Sequence, residues 1–206
     1  MNYFKNYSYS FNQALTNLKI TDSNGDPIAT ESSFERLCEL SEKTKQLKKK
    51  KIFVGNGASA AFANHMALDW SKNGGISSLS FADSALLSAV ANDCGIEEMY
   101  SFPLSCHGNL GDMLIAISSS GNSPNIINAI KVGRDKKMFV VSFTGLTPSN
   151  QIRYSGDLNF YVPAKTYGVV ECAHQFLLHV WLDKFMSIKD WSRNDYQNMS
   201  SKDYKI

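Results

Sequence analysis

Apolar residues along this chain change their period several times, and the changes mark the elements. Phe4, Tyr7, Phe11, Leu15 and Leu18 recur at steps of three and four, which predicts an amphipathic helix over residues 2–18. Asp22-Ser23-Asn24-Gly25-Asp26-Pro27 is a loop by composition. Phe34, Leu37, Cys38 and Leu47 then predict a second helix over 31–48. From residue 51 onward, short apolar runs alternate with stretches of helical period. The runs predict strands at 51–55, 77–81, 113–117, 138–143 and 158–162, and the stretches between and after them predict helices at 58–72, 84–92, 124–136 and 168–187. Such alternation implies an α/β protein with a parallel sheet covered on both faces. Residues 1–50 become N-terminal helices packed on the domain, 51–187 the α/β domain, and 188–206 a polar tail, aperiodic apart from Trp191 and Tyr196. There is no internal repeat.

Length and composition narrow the field. A chain of 206 residues with 43% hydrophobic content is one domain with appendages and can bury a sizeable core. A net charge of +2 argues against a protein that coats nucleic acid. The run Lys48 to Lys51 reads as a solvated helix end. No stretch of about 18 apolar residues suggests a membrane span, and the N-terminus lacks the apolar core of a signal peptide. Cys38, Cys94, Cys106 and Cys172 show no metal-type spacing. The expectation is a reduced, cytoplasmic protein.

Two strand–turn–helix junctions carry the candidate chemistry. In Ile117-Ser118-Ser119-Ser120-Gly121-Asn122-Ser123-Pro124-Asn125, a buried strand gives way to a hydroxyl-rich turn, with Ser123 at the N-cap and Pro124 at the first helical position. Four hydroxyls, free backbone N–H groups and the positive end of a helix suit a phosphate monoester. A serine-rich turn that only caps its helix is the plainer reading. In Gly55-Asn56-Gly57-Ala58-Ser59-Ala60, the small residues fit the G-x-G-x-x-G/A dinucleotide fingerprint, and Asp83 follows the second strand where a ribose-binding acid would sit. The same glycines are equally those of a tight turn close to some other ligand. Both turns lie at carboxyl ends of strands, where the ligands of parallel sheets bind, so both can face one pocket.

Polar residues also interrupt two apolar helices. His65 and Asp69 are four apart and share a helix face. Glu171, His174 and His179 punctuate the last helix. Two histidines and two carboxylates make a ligand set for zinc or another divalent ion. His174 reads as a hydrogen-bonded core residue, whereas spacing alone leaves His65 and Asp69 open between metal, catalysis and a surface contact. Glu171 and His179 are eight residues apart, about 12 Å along a helix axis, so one ion takes both only if their side chains converge or if different subunits supply them.

Taken in order, Gly55-Asn56-Gly57-Ala58-Ser59, His65 and Asp69, Ala91-Asn92-Asp93-Cys94-Gly95, Ser118 to Ser123, Glu171-x-x-His174 and His179 resemble the sedoheptulose 7-phosphate isomerase (phosphoheptose isomerase) family of sugar isomerase (SIS) domain proteins, from about Phe11 to Phe185. The resemblance implies a three-layer SIS fold, with a five-stranded parallel sheet between helices, in a homotetramer with active sites at subunit interfaces. It implies an aldose–ketose isomerase converting sedoheptulose 7-phosphate to D-glycero-D-manno-heptose 7-phosphate for bacterial lipopolysaccharide or capsule. By position, Ser118, Ser119, Ser120 and Ser123 would hold the phosphate. Asn56, Gly57, Ser59, Asp93 and Glu171 would lie against the sugar. His65, Asp69, Glu171 and His179 would bind the metal or move protons. Asp69 is the expected base and His179 the partner acid–base.

Three positions depart from the family pattern. Asp69 stands where Glu is usual, Glu171 where Gln is frequent, and an Arg usual shortly after the carboxylate is absent around Lys72 and Asn73. The competing reading is a non-catalytic SIS protein that binds a sugar phosphate or a protein partner. It would keep the serine loop but has no use for the four helix residues. A nicotinamide-dependent oxidoreductase ranks last, because it leaves the serine loop unexplained, so NAD is not expected to bind.

Overall fold

The computed structural model describes residues 2–188, and Trp191, Tyr196 and the rest of the tail from residue 189 lie outside them. The chain forms α1 (Tyr3–Thr16), β1 (Lys19–Asp22), α2 (Thr30–Gln46), β2 (Lys51–Gly55), α3 (Ala58–Lys72), β3 (Ser78–Ser80) and α4 (Ser84–Asp93). A 3₁₀ turn (Ile96–Glu98) leads to α5 (Ser101–His107), β4 (Met113–Ser118), α6 (Pro124–Asp135), β5 (Phe139–Gly145), β6 (Leu158–Val162) and α7 (Tyr167–Phe185). The five parallel strands expected from the sequence are β2 to β6. A sixth, β1, adds antiparallel to β6, giving the order β1-β6-β5-β4-β2-β3. β1 had no periodic signal of its own. It is four residues long and is ordered by pairing with β6 from Lys19↔Tyr161 to Asp22↔Leu158. The helix α5 was also missed, because seven residues around Pro103 are too short to show a period.

The sheet separates two cores by strict alternation. Phe53, Ile115, Ile117, Val141, Phe143 and Phe160 face one way, against Phe34 and Leu37 of α2, Met66 and Trp70 of α3, and Leu178 and Trp181 of α7. Ile52, Val54, Leu114, Ala116 and Val140 face the other way, against Tyr100, Leu104, Ile126 and Ile130. Strands buried on both faces explain why the sequence showed continuous apolar runs there. After β2 the chain runs outward to β3, and β4 then returns on the other side of β2. This reversal makes a crevice at the carboxyl ends of β2 and β4, the usual ligand position in open parallel sheets. Gly55 is in register with Ile117, so the Asn56 turn and the serine turn emerge side by side.

The lysine run does not behave as one solvated face. Lys48 is exposed, and Lys50 bonds Asp112 at 2.7 Å. Lys51 begins β2 and is fully buried. Its Nζ donates to Ser41 Oγ at 2.8 Å and sits between the rings of Trp70 and Trp181, 2.8 and 3.8 Å from their centroids. Burial holds its ammonium well below the ordinary lysine range. Strand alternation, not local composition, decides this: position 51 shares the face of Phe53. Among the described residues no helix is long and apolar enough to cross a membrane.

Candidate active site

The crevice is built by two close approaches of backbone. At Gly55, any Cβ would lie 2.7 Å from the Ser59 backbone, so only glycine lets the turn fold onto the start of α3. At Gly121, φ is +63° and a Cβ would meet Asn150 Oδ1 at 1.9 Å. Asn150 is buried against Gly121, its amide donating to the Thr147 carbonyl at 2.8 Å. The two turns are clamped together by a reciprocal amide pair: Asn56 Nδ2 donates to Asn125 Oδ1, and Asn125 Nδ2 to Asn56 Oδ1, both at 2.9 Å.

Ser123 is the N-cap of α6 and Pro124 its first residue, yet the Ser123 hydroxyl makes no capping bond. Ser119 Oγ is buried without a partner among the described residues. Among the described residues, neither Ser120 nor Ser123 donates a backbone hydrogen bond. These free donors converge at a helix N-terminus, where partial positive charge favours an anion. They line a cavity of about 210 Å³ together with Asn56, Ser59, Ile117, Ser118, Tyr167 and Glu171. Larger depressions, about 810 Å³ between α2 and the end of α7 and about 550 Å³ along α1, are not lined by the serine turn; the second carries the hydroxyls of Tyr3, Tyr7, Tyr9, Ser10 and Thr166 instead.

A second group lies along α3 and α7. His65, Asp69 and His179 each present a ligand atom within 4.8 Å of the others. His65 Nε2 is 3.2 Å from Asp69 Oδ2, and the His65 and His179 rings meet edge-on with centroids 5.3 Å apart. Two imidazoles and one carboxylate fit a divalent cation and leave coordination positions for water or substrate. Asp183, four residues beyond His179, completes the surroundings. Burial pushes its carboxyl up from the ordinary range, the His179 charge draws it down, and Asp69 pushes it up again.

The SIS domain family matches residues 29–145 of this chain. A phosphoheptose isomerase from Coxiella burnetii is 30% identical over 192 residues, covering 89% of this chain and 94% of its own length. One from Aneurinibacillus thermoaerophilus is 34% identical over 153 residues, 67% of this chain and 77% of its own. This chain belongs to the phosphoheptose isomerase family of SIS-domain proteins. The solved structure of a phosphoheptose isomerase from Neisseria gonorrhoeae superposes with a TM-score of 0.74 at 27% identity, over 88% of this chain and 94% of that one.

Not every residue anticipated for a phosphoheptose isomerase site is gathered within one chain. Glu171 lines the serine cavity and is not part of the His65–Asp69–His179 group, because two turns of α7 separate it from His179. Of the four expected metal-ligand residues, one protomer gathers His65, Asp69 and His179 and holds Glu171 apart from them. Asp93 ends α4, is exposed and accepts a bond from Asn92 Nδ2 at 2.8 Å; it does not line the cavity. Gly57, with φ +55°, shapes the turn and faces open space. Asp83 caps α4 by accepting from Leu86 N at 2.9 Å, which assigns it a structural task in place of a ribose contact.

His174 is fully buried with Nε2 3.1 Å from the Thr144 carbonyl, a core residue as its apolar neighbours suggested. Burial lowers its pKa to about 4. The folded state therefore holds it neutral while the unfolded chain protonates near 6.5, and this contribution to stability is present above pH 6.5 and lost as pH falls from there to about 4. Compared with His174→Leu in denaturant melts, the parent should lose about 3 kcal/mol more stability between pH 7 and pH 4. Equal losses would show that His174 does not carry that proton linkage.

Asn125, quoted with the serine turn, was given no role from the sequence, and Tyr167, Gln175 and Asp183 were not singled out at all. The last three had a usable signal, since each stands four residues from Glu171 or His179 on α7 and so shares its face.

Proposed function

We propose that this chain isomerises sedoheptulose 7-phosphate to D-glycero-D-manno-heptose 7-phosphate, in the cytoplasm, for a bacterial surface polysaccharide. The carrying observation is a hydroxyl-lined cavity at a helix N-terminus, with unpartnered donors at Ser119 and Ser123, in a chain that also holds the His65–Asp69–His179 group. The phosphate is held by Ser118, Ser119, Ser120 and Ser123. Asn56 and Ser59 bond sugar hydroxyls. Glu171 accepts from hydroxyls also, since its charge would repel a phosphate. Aldose–ketose interconversion moves one proton between adjacent carbons through an enediol. Asp69 takes that proton from carbon, and His179 exchanges a proton with the neighbouring oxygen. A zinc or other divalent ion held by His65, Asp69 and His179, with Glu171 from a neighbouring copy, would supply Lewis-acid polarisation of the carbonyl, and the residue that moves the proton would then leave the metal or act from its shell. Each protomer holds Glu171 apart from the His65–Asp69–His179 group, which supports a homotetramer with sites shared between subunits. Exposed Tyr3, Phe4 and Tyr9 on α1 offer apolar surface for such packing.

The test is proton NMR of sedoheptulose 7-phosphate with the protein, with and without chelator. The aldose signal should grow, and Ser120→Ala should raise KM at least tenfold through the loss of a charge-assisted hydrogen bond of roughly 1.5–3 kcal/mol. No conversion by the metal-replete protein would overturn the enzymatic reading and favour a non-catalytic sugar-phosphate binder.

A further inference from the structure

His179 is not free in the structure. The Gln175 amide nitrogen lies 2.6 Å from His179 Nε2, one helical turn back along α7. An amide –NH₂ group can only donate, so Nε2 accepts and the ring proton resides on Nδ1. The lone pair of Nε2 is thereby occupied. The other end of the same amide, Gln175 Oε1, is buried and has no partner among the described residues. A side chain fixed for its own sake would satisfy both ends. Gln175 instead leaves its oxygen orphaned while its nitrogen covers a histidine that stands within 4.8 Å of two other metal-ligand groups.

We infer that Gln175 is a positioning residue that latches His179, holding one tautomer and competing with a divalent cation for the Nε2 lone pair. This rests on the reading of His65, Asp69 and His179 as a divalent-ion site. The amide holds the His179 ring in one orientation beside His65 and Asp69. When an ion takes Nε2, the amide is released, and the orphaned oxygen limits what its release costs. The latch thus lowers affinity for the ion and makes uptake depend on a side-chain rotation.

The experiment titrates Co²⁺ into metal-stripped parent, Gln175→Met, Gln175→Leu and His179→Ala, following the visible d–d absorption and the heat of binding. Both Gln175 variants keep bulk and helix propensity but cannot donate, and far-UV circular dichroism verifies their fold. Removing one competing hydrogen bond should tighten Co²⁺ binding about fivefold with the parent's absorption bands unchanged, because the ligands are unchanged. His179→Ala should lose those bands. Unchanged or weaker binding by both Gln175 variants, with His179→Ala inactive toward Co²⁺, would overturn the latch alone. Parent-like Co²⁺ spectra in His179→Ala would overturn the metal-site reading on which the latch stands.

Discussion

Replacing His179 with Ala should reduce isomerisation of sedoheptulose 7-phosphate about a thousandfold, within the range for loss of a positioned acid–base group. The effect should fall on kcat, because His179 belongs to the group on α3 and α7 and not to the cavity that holds the phosphate. Asp69→Asn should lose comparable activity, since an amide cannot take a proton from carbon. Zinc analysis of the purified Asp69→Asn protein separates its two roles. Retained metal with lost turnover makes Asp69 the base, and loss of both makes it chiefly a ligand. If both variants turn over substrate at the parent rate, the proton-transfer assignment is wrong.

Gly121→Ala should damage binding and stability together. Alanine at φ +63° is strained, and its Cβ would overlap Asn150 Oδ1, an atom of a buried side chain with little room to retreat. Strain and overpacking together should cost about 3 kcal/mol of stability. The Asn150 shift would also pull on Gly121 and Asn122, whose carbonyl and side chain accept from Ile152 N and Gln151 N at 3.0 Å each. KM for the sugar phosphate should rise at least tenfold at temperatures where the variant is folded, through the misplaced Ser120 and Ser123 donors. Thermal melts and phosphate-protection assays check the two effects separately. A variant with parent-like melting and affinity would show that the loop tolerates a side chain there.

The serine turn and the Gly55–Ala60 turn were legible because their information is contiguous. An apolar run, a cluster of small or hydroxylic residues, then helical period is a local code, and each turn carries it within its own residues. The parallel α/β class followed from the same alternation. Lys51 marks where this stops. Its neighbours Lys48, Lys49 and Lys50 suggested solvent, yet strand alternation places it in the core beside two tryptophans.

Local pattern therefore determined the order of elements, the two ligand turns at the strand ends and the set of side chains able to hold phosphate, metal or protons. Only the tertiary structure decided how they group. Asn56 meets Asn125 across 69 residues because β2 and β4 are adjacent in the sheet. His65 meets His179 because α3 and α7 pack on the same face. Glu171 and His179 both lie on α7 but start about 12 Å apart along its axis, and in the structure Glu171 turns to the serine cavity while His179 joins His65 and Asp69. Spacing along the chain constrains distance only within an element; between elements, distance is set by which strands pair and which helix faces are buried together.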